Sequence, residues 1–174
     1  MKGYNKIIYA VIIILVGVLV LAGLLLISLS CAGRSPEVGL MEGRLRPCPD
    51  RPNCVCSEDG EIRAWTKPLV FHGSAKRAWE QLQIAIKGMG GEIQRHSDTY
   101  MWATFTTKVF RFVDDMEFRM VDDESIIHVR SASRVGYSDL GLNRRRVEKL
   151  RSRFSKSLCE HDSSDAKGDG QRSE

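Results

Sequence analysis

The hydrophobic pattern begins with an uninterrupted apolar segment near the N-terminus. Residues 7–29 contain no charged side chain. As a helix this segment would be about 35 Å long, which exceeds the roughly 30 Å hydrocarbon core of a bilayer. One interpretation is a permanent membrane anchor, because the segment is longer than the apolar core of a usual signal peptide. The other is a bacterial lipoprotein signal that ends in "ISLSC", with Cys31 lipidated after cleavage.

Two later segments have the apolar spacing of amphipathic helices. A helix is predicted over residues 75–89, where apolar side chains recur at spacings of three and four. Ser74 is a suitable N-cap, and two glycines follow the last apolar residue. A second helix is predicted over residues 144–158, after Asn143. Its apolar stripe consists of Val147, Leu150, Phe154 and Leu158.

The segments between these helices have the alternation expected of strands. Four strands are predicted, at residues 92–96, 100–109, 112–121 and 125–135. Their short connections are typical of antiparallel hairpins. Residues 61–71 are a fifth candidate, which Pro68 breaks or displaces to an edge. The predicted fold class is therefore α+β, an antiparallel sheet of four to five strands packed with two helices.

The chain divides by composition into four parts. Residues 1–31 are the anchor or lipoprotein signal, and residues 32–47 are a tether rich in Gly, Pro and Arg. Residues 48–158 form a single globular domain, long enough to bury a core. Residues 159–174 are polar and are predicted to be disordered. The net charge of +4 is mild and does not indicate nucleic acid as a partner.

Two of the five cysteines are placed to form a disulfide if the domain faces an oxidising compartment. In "CPDRPNC", Cys48 and Cys54 lie at the ends of a short loop stiffened by two prolines, and we predict a disulfide between them. The alternatives are reduced structural thiols, or a metal ion held by Cys48, Cys54, Cys56 and His72. The chain contains no phosphate-binding glycine loop and no HExxH motif. We predict neither a metal nor a cofactor.

The stretch "FRFVDDMEFRM", residues 110–120, places carboxylates in a predicted strand. Strand parity puts Asp114 on the apolar face and Asp115 with Glu117 on the polar face. Two registers with the following strand are open. A turn at Asp122–Asp123 sets Asp115 opposite Arg130 and Glu117 opposite His128. A shift of two residues instead sets Asp114 opposite Ser133 and Glu117 opposite Arg130.

A carboxylate on a core face needs a partner or a cavity. Arg134 or the backbone amides of residues 135–143 are the expected partners of Asp114. These groups predict a polar pocket or network at one end of the sheet. The candidate binding residues are Asp114, Ser131, Ser133, Arg134, Asp139, Asn143 and Arg144.

The start of the second helix, "NRRRVEKLRSRFSK", is strongly basic. Three arginines beside free helix amides could hold a phosphate, a carboxylate or a lipid headgroup. The alternative is a solvated face whose long stems shield the sheet.

No catalytic residues are identified. A triad built on Asp114 and Ser131 or Ser133 lacks its base, because His128 lies on the opposite face.

Three stretches together resemble domain-of-unknown-function family 1499, found in bacteria and plastids. They are "GRLRPCPDRPNCVCSE", "FRFVDDMEF" and "VRSASRVGYSDLGLNRRRVEKLR". The resemblance covers residues 40–158. It implies a membrane-anchored, lipoprotein-like or lumenal protein, and it implies no reaction. The family pattern reads "NCVSS", whereas this chain has Cys56 in place of the first serine.

The expected protein is thus a membrane-anchored, extracytoplasmic domain of the bacterial cell envelope. Its expected role is binding or structural, with the membrane and an anionic lipid or small anion as partners, and no nucleic acid. An envelope hydrolase that uses Asp114 and a subunit of an envelope complex are the alternatives.

Overall fold

The computed structural model of the chain describes residues 2–31 and 37–168. Three helices occur in it: α1 (Lys2–Cys31), α2 (Ala75–Gly88) and α3 (Leu142–Gly168). The first strands are β1 (Leu40–Met41), β2 (Arg44–Leu45), β3 (Cys54–Cys56) and β4 (Leu69–Val70). The later strands are β5 (Glu92–His96), β6 (Tyr100–Thr106), β7 (Val113–Val121) and β8 (Ile126–Ser133).

Helix α1 is the predicted apolar N-terminal helix. Its segment Lys6–Leu26 has a mean hydropathy of 3.1 and is not buried against the rest of the described chain. By length and composition the segment can cross a membrane, although a signal sequence near an N-terminus has the same properties.

The main sheet has six antiparallel strands, which confirms the predicted α+β class. Along it the order is β3-β8-β7-β6-β5, and β4 also pairs with β8. Strands β1 and β2 form a separate two-stranded sheet. The predicted strand over residues 61–71 is largely absent, since only Leu69–Val70 form a strand in this range, together with an isolated bridge between Trp65 and Cys56. Pro68, which cannot donate to a ladder, directly precedes this short strand.

The register of β7 with β8 is the shifted one of the two predicted. Asp114 lies opposite Ser133, and Glu117 lies opposite Arg130. The other register, with Asp115 opposite Arg130, is wrong. Its assumed turn was too tight, because Val121 pairs directly with Ile126 and leaves a loop of residues 122–125. A longer loop moves every pair along the strand.

Helices α2 and α3 cover one face of the sheet, called here the inner face. Asp114 and Met116 point towards this face, as parity predicted. The main core is apolar and lies between the helices and the sheet. Its fully buried members include Phe71, Leu82, Ile86, Met101, Met116, Phe118, Val129, Leu150 and Phe154.

The outer face of the sheet is covered by the chain that precedes and follows β2. Leu45, Cys56 and Tyr100 form a second buried cluster there. Residues 37–47, which we predicted as part of a tether, therefore pack against the sheet in this structure. At the other end of the domain, α3 continues to Gly168, past its predicted end at residue 158. Residues 32–36 and 169–174 lie outside the described residues.

Candidate functional site

Most of the predicted site residues meet at one end of the sheet, where its strands begin or finish. At this end of the sheet β6 and β8 finish, and β7 and β3 begin, as the pairs Thr106–Val113 and Cys54–Ala132 show. We call it the Ser133 end, after the last residue of β8. The opposite end of the sheet, which carries the β7–β8 turn, is called the Asp122 end.

Asp114 is bound by the folded chain. A guanidinium N–H of Arg146 donates to its Oδ2 at 2.7 Å, and both side chains are nearly buried. Burial raises the pKa of Asp114 above its usual value, against the opposing effects of Arg146 and the Ser133 hydroxyl. The predicted Ser133 hydroxyl does contact Asp114, whereas Arg134 binds Asp115 instead. Arg146, which was not predicted, reaches Asp114 from α3 across the inner face. Its position one turn inside a helix predicted to pack on the sheet was the only available signal.

Asn143 joins three elements at the Ser133 end. Its Oδ1 accepts from the Ser131 hydroxyl, and its Nδ2 donates to the Ser133 hydroxyl at 2.9 Å and to the Asn53 carbonyl at 3.0 Å. The side chain is fully buried. Asp139 holds the start of α3, accepting from the backbone N–H of Asn143 at 2.6 Å. These predicted residues therefore come together as a fully bonded network.

Arg134 pairs with Asp115 on the outer face and not with Asp114. Its Nε and one terminal nitrogen donate to the two oxygens of Asp115, each at 2.8 Å. The Trp102 indole N–H donates to the same carboxylate at 2.8 Å. The hydrogen bonds to Asp115 raise the pKa of Arg134 further above its already high value. This bidentate geometry fixes the direction of the guanidinium.

Glu117 is the most deeply buried acid on the outer face. It accepts from the Tyr100 hydroxyl at 2.7 Å, the Gly39 backbone N–H at 2.7 Å and an Arg130 guanidinium N–H at 2.9 Å. Burial, followed by the hydrogen bond to Glu117, raises the pKa of Tyr100. The acids that looked like a cluster in the sequence are thus divided between two faces and individually paired.

The arginines at the start of α3 bind other parts of the chain. Arg144 donates to the backbone carbonyls of Trp65 and Arg63, and Arg145 donates to that of Leu140. Arg146 is held by Asp114. These contacts favour the structural interpretation of the basic helix start, and the anion site predicted there stays a prediction.

The predicted disulfide between Cys48 and Cys54 is present, with the two Cα atoms 5.6 Å apart. It occupies two of the sulfur ligands that the metal alternative required. Cys56 is a free, fully buried cysteine, and burial raises the pKa of its thiol to about 11.

A cleft of about 630 Å³ lies beside the disulfide loop. We call it the disulfide cleft. Asp139 and Arg144 line it, together with Tyr137, Leu140 and residues 59–64 in part. Asp114 is not among its lining residues.

The second cleft, of about 290 Å³, lies on the outer face at the Ser133 end. We call it the arginine cleft, because Arg51, Arg130 and Arg134 line it. Arg130 and Ala132 lie on one face of β8, and Arg134 directly follows the strand with the same parity. The small side chain of Ala132 leaves space between the two arginines. Sequence reasoning missed Arg51 and Arg130, whose convergence depends on the disulfide loop folding back over β8.

These features define an α+β domain with an N-terminal apolar helix, a disulfide-closed loop and two polar clefts near one end of its sheet. The chain belongs to the DUF1499 family, described as proteins of unknown function, whose model matches residues 44–154. The predicted resemblance is confirmed over this range. No curated protein matches the chain.

Proposed function

We propose that this protein is a membrane-tethered, extracytoplasmic domain that binds a small oxyanion in the arginine cleft. The tether is helix α1, as a retained anchor or, after cleavage, through a lipid on Cys31. The Cys48–Cys54 disulfide supports an oxidising compartment, because such bonds are rare in reducing cytosol.

One observation carries the binding site. The Arg130 side chain is only 5% exposed, and its Nε is buried without a hydrogen-bond partner among the described residues. A buried donor without an acceptor is costly, so such an atom in a cleft wall favours a bound acceptor. An oxyanion supplies that acceptor, although the charge of Arg130 is already paired with Glu117.

The surrounding charges agree with a small, strongly oriented ligand. Arg134 is fixed by Asp115 and Arg130 by Glu117, so both guanidiniums are held in place before a ligand arrives. Arg51 is exposed at the rim of the cleft. Asp115 and Glu117 pair with two of these arginines, and Glu37 also lines the cleft. We therefore expect modest affinity and a preference for small anions over large ones.

The test is a binding measurement on the full chain in detergent micelles. Isothermal titration with phosphate, sulfate and a small dicarboxylate is expected to give binding that Arg51→Gln weakens and Ala132→Leu abolishes by filling the cleft. Arg63→Gln is the matched control, since Arg63 is an exposed arginine that lines the disulfide cleft instead. Equal binding by all four proteins, or none by the wild type, contradicts the proposal.

The geometry gives less support to a hydrolase that uses Asp114. The carboxylate is bonded to Arg146 and lines neither of the two described clefts. A carboxylate that serves as an acid, base or nucleophile must reach its substrate. A subunit role in an envelope complex has no described feature of its own that favours it.

A further inference from the structure

An apolar loop with basic flanks projects from the Ser133 end of the sheet. It connects β6 to β7 over residues 107–112, and its tip carries Val109, 74% exposed, and Phe110, 42% exposed. Lys108 and Arg111, both exposed, lie on either side. The loop contains no acidic residue. Large apolar side chains at a loop tip with cations beside them match the boundary between headgroups and acyl chains.

A second loop at the same end adds to this surface. Tyr137 and Leu140 follow β8 and are 71% and 84% exposed. Arg145, also exposed, lies just beyond them at the start of α3. Tyrosine is favoured at membrane interfaces because its ring is apolar and its hydroxyl is polar. The exposed apolar groups of the two loops therefore share one end of the domain.

The turns at the opposite end of the sheet are acidic. The turns at the Asp122 end contain four exposed acids. They are Asp98, Asp122, Asp123 and Glu124. Acids such as Asp50 and Glu61 also line the disulfide cleft beside Tyr137, but the β6–β7 loop has none. A negatively charged surface therefore attracts this loop and repels the turns at the Asp122 end.

The short connection between α1 and the domain also places the Ser133 end near the membrane. Glu37 lines the arginine cleft together with Ser133 and Arg134, so the chain enters the domain at the Ser133 end. The chain from Cys31 to Glu37 spans at most about 21 Å even when fully extended, at about 3.5 Å per residue. Whether the anchor is helix α1 or a lipid on Cys31, this end is held close to the membrane.

We propose that the Ser133 end docks on an anionic lipid surface, with Val109 and Phe110 entering the interface and Lys108 and Arg111 contacting headgroups. The docking rests on the proposed tether, which supplies a high local concentration of lipid. The apolar tip contributes burial, and the flanking cations make the contact dependent on anionic lipid and on salt. Docking directs the acidic Asp122 end away from the bilayer.

The experiment uses the full chain reconstituted in vesicles of phosphatidylcholine with phosphatidylglycerol. A photoreactive benzoylphenylalanine replaces Val109 in one protein and Glu124, at the opposite end, in the matched control. Mass spectrometry then measures lipid adducts after irradiation. We expect a severalfold higher lipid-adduct yield at position 109 than at 124, and a lower yield at 109 in vesicles of phosphatidylcholine alone.

Charge-removing variants test the second half of the proposal. In the protein with benzoylphenylalanine at position 109, Lys108→Gln combined with Arg111→Asn is expected to lower the yield of lipid adducts on anionic vesicles. Asparagine suits position 111, whose φ of 57° lies in the left-handed region. Arg95→Gln, an exposed arginine on β5, is the control and should leave the yield unchanged.

The outcomes separate docking from tethering. Equal adduct yields at the two positions, or adducts at 109 with a second copy of the chain in place of lipid, overturn the docking. If alkaline carbonate leaves the protein on the vesicles and position 109 forms no lipid adduct, the tether stands and the docking falls. Release of the chain by carbonate overturns the tether and, with it, the docking.

Discussion

The Asp114 carboxylate and the Arg146 guanidinium form an ion pair at 2.7 Å that joins the start of β7 to α3. Arg146 also lies over the Phe105 ring, 4.9 Å from its centroid, and donates to Asn143 at 3.0 Å. The pair therefore lies within the contact between helix and sheet. Its position makes Asp114 a structural residue whose loss acts on stability.

Replacing Asp114 with asparagine is expected to lower the free energy of unfolding by about 3 kcal/mol, because Arg146 keeps a buried charge without its counter-ion. Urea unfolding of the full chain in micelles, followed by tryptophan fluorescence, measures this difference. Asp123→Asn, in an exposed turn, is the control and should change stability little. A stable Asp114→Asn protein that has lost a binding activity would point instead to a ligand at Asp114.

Glu58 is expected to make the stability of the fold depend on pH in the acidic range. Burial would raise its pKa, but hydrogen bonds from Arg119 and the Leu45 backbone N–H outweigh burial and hold the pKa below its usual 4.5. A carboxyl with a lower pKa in the folded chain stabilises the fold at higher pH, and this contribution is lost as pH falls through the folded-state pKa.

The stability difference between wild type and Glu58→Gln should therefore be largest near neutral pH and shrink as Glu58 protonates. Unfolding measured at several values between about pH 3 and pH 7 gives this difference directly. The comparison must be between the two proteins, because the raised pKa of Asp114 acts with the opposite sign. A difference that is constant over this range would contradict the role assigned to the Arg119–Glu58 pair.

Cys56 is expected to be unreactive in the native protein. Its side chain is fully buried and its pKa is about 11, so little of the nucleophilic thiolate is present. In a protein with Cys31→Ser and Cys159→Ser, iodoacetamide should modify Cys56 only after denaturant is added, as mass spectrometry will show. Rapid alkylation without denaturant would mean that β3 opens readily.

Reduction of the Cys48–Cys54 disulfide is expected to destabilise the domain by about 2 kcal/mol, the entropic contribution of so short a loop. The loop also lies over β8, and the Cys48 backbone N–H donates to Asp59 at 2.7 Å. Thermal unfolding with and without reductant measures the effect. A protein with Cys48→Ala and Cys54→Ala is the control, and reductant should not alter its melting temperature.

Local pattern was sufficient for the elements and for the direction of most side chains. The apolar spacing of Leu82 and Ile86 placed α2, and Val147 with Leu150 placed α3. Parity put Asp114 inward and Asp115 outward before any partner was known. The same parity failed to show that Asp115 and Glu117 are buried, because a strand pattern does not reveal what covers its polar face. In this chain residues 37–48 cover it.

Contacts between residues far apart in the chain were harder to predict from the sequence. Arg134 was predicted for Asp114, yet it binds Asp115, because both residues lie on the outer face in the observed register. Arg146 was the missing partner, since its approach depends on how far α3 lies over the sheet. The arginine cleft likewise needs Arg51 from the disulfide loop to converge with β8, a separation that no local pattern spans.

The sequence by itself determined the apolar N-terminal helix, the α+β class and the disulfide, because these follow from residue types at short spacing. The family followed from the resemblance of three longer stretches to its pattern. The tertiary structure alone decided the strand register, the partners of each carboxylate and the end at which the chain enters the domain. Those depend on one loop of residues 122–125 and on contacts between segments far apart in the chain. Local interactions alone do not distinguish the alternative registers and ion pairs, and packing of the whole core selects among them.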